Sequence, residues 1–348
     1  MNKKKVGIIG LGAISGMKWG EPTDACPYNH AGGIYKSQQV ELAAAVDVSG
    51  EVVEKFKNKW GQYFPAARYY LRLEDMLRDQ ELDIISICVK APLHYGVVEQ
   101  VIKAKPRAVF LEKPPTCSLN EMDRMVGQSK EAHVPITVSY SRHWSPKVLT
   151  MERLIKNGLI GEVQSVVSYC GGQVRGGTVL SFASHATDVI CQFAGYDPVA
   201  VFAQGESGTI TKDGYEPEPF LSNMTIEFPN GVQGVQIGHN GEFGGFYCEI
   251  FGSKGRARAG IYTSPYACDS AGKPIDLSVH GFTEERSPFA IAYDQIAQSI
   301  DGVGIPGCTG DEFVAVNEIG FGAIESMRSN QCVTLPNVNR DRMIYAIV

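Results

Sequence analysis

Short apolar runs alternate with stretches of helical spacing through the first 140 residues, and no other feature restricts the fold of this chain so tightly. The runs fall at 6–9, 40–46, 82–89, 108–111 and 134–138, with helical patterns at 52–60, 95–104 and 121–132 between them. Ser118 and Glu121 have the spacing of a capping box at the start of the last of these. Strands too apolar to face water on either side, each followed by a helix, call for βαβ units and a parallel sheet covered on both faces. The expected first domain is a doubly wound parallel sheet over residues 1–140.

The pattern changes after Tyr140. Ser145 and Pro146 suit the cap and first turn of a helix that ends at Gly158. Strand patterns then dominate, at 163–169, 199–203, 224–228, 232–237, 247–251 and 257–261, and Asn230-Gly231 between two of them is a hairpin turn signal. Residues 263–286, rich in Gly, Pro and Ser, read as a long surface loop. Two helices follow, begun by Ser287-Pro288 and by the Thr309…Glu312 capping box. The expected second domain, 141–348, is α+β with a large, mainly antiparallel sheet.

Length and charge narrow the classes further. A chain of 348 residues holds two domains with ample core. A net charge of -6, with Lys3-Lys4-Lys5 the one basic run, makes no case for nucleic acid. No run approaches the roughly 18 apolar residues of a spanning helix, so no membrane partner is expected. The basic start followed by an apolar run is broken by Gly7, Gly10 and Gly12, unlike a signal peptide. Nine scattered cysteines without a CxxC pair read as reduced thiols, which points to the cytoplasm. His133, His239 and His280 show no ligand spacing with Cys or acidic neighbours, so no metal is expected.

The first strand runs into Gly10-Leu11-Gly12-Ala13-Ile14-Ser15. In a Rossmann turn the first glycine permits the tight bend and the second lets the backbone approach a pyrophosphate. Ser15 stands where a third glycine or alanine is usual. The second strand ends at Asp47, whose carboxylate can accept from ribose hydroxyls and repels a 2′-phosphate, favouring NAD over NADP. The other reading of Asp47 is a cap for the following helix. Residues 17–33 form a loop-like insertion that leaves the carboxyl edge of the sheet. There Tyr28 and His30 either touch substrate or belong to an inert surface loop.

These features, with His94 after the fourth strand, Glu112-Lys113-Pro114 after the fifth, and Gly176-Gly177…His185…Asp188, resemble the glucose–fructose oxidoreductase, inositol dehydrogenase and rhizopine-catabolism (Gfo/Idh/MocA) family. The link 158–163 into the second sheet fits it too. The resemblance implies a cofactor site that also takes in Val89, Lys90, His94 and Glu112. It implies that Lys113 lies near the nicotinamide and the reacting hydroxyl, and that His185 is the general acid/base. It further implies a homodimer or homotetramer built on the open face of the second sheet. Three positions depart from the family. Val89-Lys90 replaces a common Thr-Pro, His143 before Trp144 replaces a common arginine, and Ser181 replaces an acidic residue four positions before the histidine.

What the resemblance implies is an NAD-dependent oxidoreductase moving a hydride between nicotinamide and a secondary hydroxyl or ketone of a sugar, sugar derivative or cyclitol. Such chemistry needs a hydride acceptor, a base and positive charge beside the developing alkoxide. Asp188, three residues after His185, either orients the imidazole, contacts substrate or is a buried structural carboxylate. Arg142, His143 and Trp144 either shape the substrate pocket or pack at the domain junction. With Ser181 in place of the acid, the acidic role is absent, is supplied by another residue, or belongs to a different reaction. Two alternatives therefore stay open: redox-neutral sugar chemistry through transient oxidation, and a dinucleotide-sensing regulator without turnover.

Overall fold

The computed structural model describes residues 3–172, 177–240, 246–261, 263–282 and 285–346. They form two compact units, Met1–Thr116 with Glu121–Trp144 and Glu285–Gly310, and Cys117–Asn120 with Ser145–Glu284 and Asp311–Val348.

The chain begins β1 (Lys4–Ile9), α1 (His30–Lys36), β2 (Val40–Val46), α2 (Gly50–Trp60), β3 (Arg68–Tyr70), α3 (Leu73–Asp79), β4 (Ile84–Ile87), α4 (His94–Lys103), β5 (Ala108–Leu111), α5 (Leu119–Ala132) and β6 (Ile136–Val138). The six strands form one parallel sheet in the order β3-β2-β1-β4-β5-β6. The central strands β4 and β5 are buried at every residue, which is why they read as unbroken apolar runs. The connections of β1 and β4 leave in opposite directions, so the crevice for a ligand opens at their carboxyl ends.

The second half runs α6 (Pro146–Lys156), β7 (Val163–Gly172), α7 (Ser184–Ala194), β8 (Ala200–Glu206), β9 (Glu216–Pro217), β10 (Phe220–Glu227), β11 (Gln233–Asn240), β12 (Phe246–Gly252), β13 (Gly255–Gly260) and β14 (Tyr266–Asp269). After these come α8 (Pro288–Ile300), α9 (Asp311–Ser329), β15 (Val333–Thr334) and β16 (Ile344–Tyr345). Eight strands make the large sheet, β14-β13-β12-β7-β11-β10-β8-β15, antiparallel throughout except between β7 and β11. The hairpin joins β10 to β11, with Asn230 and Gly231 at φ 62° and 77°, the positive values that such a two-residue turn requires.

Three expectations change. The segment 263–286 is not all loop, because β14 pairs with β13 and so satisfies its edge. Residues 17–33 are only partly loop. From His30 they form α1, capped by Asn29, whose side-chain oxygen accepts from Gly32 N at 2.8 Å. The third change concerns α8, expected in the second domain but part of the first unit. It packs on α1, where the Phe289 side chain fills the space in which a Cβ at Gly33 would sit. Ser287 donates to the Pro27 carbonyl at 2.6 Å and Ser37 donates to Asp294 at 2.5 Å. An amphipathic pattern identifies a helix and its buried face but not the unit that buries it.

Candidate active site

The carboxyl edge of the parallel sheet gathers most of the residues singled out in the first domain. Gly10 follows β1 at φ 85°, and a Cβ there would lie 2.9 Å from Val89 N. Any other residue at this position is strained and clashes with the loop after β4. Gly12 has nothing within 4 Å of a built Cβ, so its backbone is open to a ligand. Ala13 and Ile14 begin a single turn of π geometry, Ala13–Met17, closed by Met17 N to Gly12 O and Lys18 N to Ala13 O. Ser15 is buried inside it and donates to the Gly12 carbonyl at 2.7 Å. A hydroxyl at this third position therefore tightens the turn, which a glycine could not do.

Asp47 stands at the end of β2 and accepts from Leu11 N and Ser49 N, each at 2.9 Å. The cap of α2 is Ser49. Asp47 instead ties the glycine turn to the end of β2, and each carboxylate oxygen keeps a further lone pair for a ribose hydroxyl. An open backbone at Gly12, a turn that only glycine fits at Gly10 and a carboxylate beside them suit a dinucleotide.

After β4, Val89 is half-buried and Lys90 exposed. His94 is fully buried, with Nδ1 2.8 Å from the Pro114 carbonyl and Nε2 2.8 Å from the Val89 carbonyl. It fastens the β4 loop to the Lys113-Pro114 segment, whose peptide bond is cis. Burial pushes its imidazole below the ordinary value against the pull of the two carbonyls. Glu112 and Lys113 follow β5 directly, the first buried and the second half-buried. Burial alone would raise the Glu112 carboxyl. The hydrogen bond and charge of His30, with Lys113 and Ser139, outweigh it and hold the group below the usual range.

His30 is not positioned as a substrate contact. It is fully buried, with Nε2 3.0 Å from Glu112 and Nδ1 2.8 Å from the Tyr293 hydroxyl, so both nitrogens are engaged within the protein. Tyr28 is half-buried and its hydroxyl meets that of Ser141 at 2.7 Å. Arg142, His143 and Trp144 share one tight turn after β6. Arg142 is half-buried, whereas Trp144 is fully buried, donates to Gln295 at 2.9 Å and meets Phe110 edge-on. His143 is buried, and its Nε2 occupies the space that a Cβ at Gly307 would need.

The second unit carries Ser181, His185 and Asp188 on a turn, Val179–Ala183, and the helix α7 that continues it. The helix is tied to β11, since Gln236 donates to the Ala183 carbonyl and accepts from Thr187, both at 3.1 Å. His185 is buried to 6% exposure, and Asp188 is fully buried and accepts from the Tyr196 hydroxyl at 3.2 Å. Gly176 lies outside the described residues. The sequence reading missed Glu218. Its buried carboxylate accepts from Leu180 N and Ser181 N at 2.6 Å and from the Ser181 hydroxyl at 2.5 Å. A carboxylate thus stands against Ser181, supplied from 37 residues further along. Nothing in its local sequence marks it, because only the path of the chain before β10 brings it there.

Residues 4–140 match the family model described as "Oxidoreductase family, NAD-binding Rossmann fold" under the name Gfo/Idh/MocA. The chain is 24% identical to a myo-inositol 2-dehydrogenase of Thermotoga maritima, over 96% of this chain and 99% of that protein. In fold it is similar to the aldose-aldose oxidoreductase of Caulobacter crescentus complexed with glycerol, with a TM-score of 0.76 at 18% identity, over 96% of this chain and all (100%) of that one. It is also similar to the WlbA dehydrogenase of Bordetella pertussis in complex with NADH and UDP-GlcNAcA, with a TM-score of 0.72 at 20% identity, over 96% and 99% of the two chains. Among the described residues no helix is long and apolar enough to cross a membrane. With the six-stranded parallel sheet, the glycine turn and Asp47 in place, residues 4–140 form an NAD-binding Rossmann domain that matches the Gfo/Idh/MocA oxidoreductase model.

Proposed function

We propose that this oxidoreductase transfers a hydride between nicotinamide and a secondary hydroxyl or ketone of a sugar, sugar derivative or cyclitol. The observation that carries the reading is the position of Glu112-Lys113, at the end of β5 on the same sheet edge as the glycine turn and Asp47. That edge is where an open α/β sheet binds its ligand. When bound there, the nicotinamide supplies the hydride acceptor or donor. Lys113 holds an ammonium against the substrate oxygen as alkoxide charge develops. His185 takes or returns the hydroxyl proton, a task suited to an imidazole near neutral pH. Val89, Lys90 and the turn 10–15 line the cofactor. Tyr28, Arg142, His143, Ser181 and Asp188 contribute polar groups toward substrate. The relatives named for inositol and aldose chemistry support this substrate class.

The test is a panel of polyols and sugars that includes myo-inositol, incubated with NAD and read both by NADH formation and by product analysis. Oxidised product with stoichiometric NADH supports the reading. Altered product without net NADH selects redox-neutral chemistry, and tight NAD binding without any hydride exchange selects a sensor.

Cofactor choice is a separate expectation. Asp47 should make NAD and NADH bind at least about tenfold more tightly than their 2′-phosphorylated forms, since a like charge next to the ribose costs about 1.4 kcal/mol or more. Isothermal titration checks it, and equal affinities would remove Asp47 from this role. The outer face of the large sheet also carries half-exposed Val167, Tyr169, Val235, Ile237 and Tyr247, with the Tyr169 and Tyr247 rings stacked at 4.8 Å. This supports a homodimer or homotetramer joined there, and sedimentation should return the mass of two or four chains. A monomer at micromolar concentration would end that proposal. The same reading places the enzyme in the cytoplasm, supported by six cysteines buried as thiols.

A further inference from the structure

We infer that Ser86, Tyr293 and His30 form a buried hydrogen-bonded chain that holds Glu112 as a carboxylate beside Lys113 and so keeps the lysine charged. The inference rests on the reading of Lys113 as the ammonium of the active site. It makes His30 and Tyr293 positioning residues, acting through Glu112 and not on substrate.

The chain starts inside the sheet. The Ser86 hydroxyl on β4 lies 2.7 Å from that of Tyr293 on α8, which lies 2.8 Å from His30 Nδ1 at the start of α1. His30 Nε2 then reaches Glu112 at 3.0 Å. Ser86, His30 and Tyr293 are 0% exposed and Glu112 is 3% exposed. An ionised carboxylate can only accept, so Nε2 must donate. Nδ1 meets the Tyr293 hydroxyl and that hydroxyl meets Ser86, groups that can each donate or accept, so the chain is satisfied with Nε2 donating to Glu112. Bonds linked in this way reinforce one another in a low dielectric. Burial pushes the Tyr293 hydroxyl well up, so it stays a donor.

A buried carboxylate without such support takes up a proton. The groups that face Glu112 come from every element around it. They are His30 on α1, Tyr293 on α8, His94 on α4, Cys88 after β4 and the adjacent Lys113. Burial holds the Cys88 thiol well up, with Glu112 adding to the effect, and holds the His94 imidazole down. The charge of Glu112 acts on the adjacent Lys113. A purely packing role would not need polar groups here. His30 already lies edge-on to Phe110 and Phe289, with centroids 5.0 and 4.9 Å away, a site that an apolar ring would fill.

The experiment uses the full-length protein without substrate. Acetic anhydride acylates only the free amine, so peptide mass spectrometry of Lys113 across a pH series reads how readily that lysine loses its proton. Glu112→Gln and His30→Asn, the second too short to reach Glu112, should each raise Lys113 labelling at a fixed pH about tenfold, the equivalent of one pKa unit. His30→Gln, which restores a donor near the Nε2 position, should stay within about twofold of wild type, and Tyr293→Phe should fall between. Unchanged labelling in a folded His30→Asn protein overturns the inference, as does an equal rise in His30→Asn and His30→Gln. Should His30→Asn fail to fold, unchanged labelling in both Tyr293→Phe and Glu112→Gln overturns it instead. Because no substrate is present, a protein with sugar turnover but unshifted labelling keeps the proposed function and loses this inference. Shifted labelling without turnover does the reverse.

Discussion

Lys113→Ala and His185→Ala should each lower turnover by a factor of about 10²–10⁴, the range for removing a general acid or base, while leaving NAD affinity nearly intact. That loss is about 3–5 kcal/mol of transition-state stabilisation. NAD affinity should survive because the cradle is made by Gly10, Gly12 and Asp47, which neither substitution touches. The double variant should lose less than the product of the two single losses, since both groups serve the same proton and the same developing alkoxide. Steady-state kinetics with the substrate found in the panel, beside titration of NAD, measures all four quantities. A His185→Ala protein with near-normal turnover on that substrate would sink the mechanism while leaving the family resemblance untouched.

Glu218→Ala should destabilise the second unit by about 2–4 kcal/mol, because it strands three buried donors at once. These are Leu180 N, Ser181 N and the Ser181 hydroxyl. Ser181→Ala removes one of the three bonds and leaves the carboxylate two backbone donors, so its cost is about 1 kcal/mol. Its effect on turnover should likewise be far smaller than that of either catalytic variant. Ser181→Asp, which restores an acidic residue at this position, sets a second carboxylate against Glu218 and should be tolerated only at a pH where one of the two is protonated. Urea unfolding of each variant, with hydrogen exchange at α7 to localise the loss, separates these cases. Equal stability of Glu218→Ala and Ser181→Ala would show that the carboxylate does not anchor the turn before His185.

These two predictions differ in how far the sequence alone could have carried them. Lys113 and His185 could be proposed from the sequence because they sit in motifs that carry the family resemblance. The glycine turn with Asp47 was legible because backbone sterics and strand ends are local. The parallel sheet followed from β4 and β5, whose burial on both faces leaves an unbroken apolar run in the chain itself. Hairpin chemistry at Asn230-Gly231 was equally local, since two positive φ values favour those residue types.

Other features were decided by tertiary structure. His30 lies in a seven-residue helix containing two glycines, a segment of poor helix propensity. It forms because Asn29 caps it and because Pro27 and Phe289 fill the space beside Gly32 and Gly33. Its partners Glu112 and Tyr293 stand 82 and 263 residues away, and no pattern in the intervening chain connects them. Glu218 reaches Ser181 in the same way, and α8 joins the first unit although its sequence would suit either. Periodicity and turn chemistry are written in neighbouring residues, so the sequence determined the elements, the parallel sheet and the dinucleotide cradle. Which buried donor meets which acceptor depends on where distant segments come to rest. The tertiary structure alone therefore decided that a histidine from the inserted segment sits behind Glu112 and that a distant glutamate stands against Ser181.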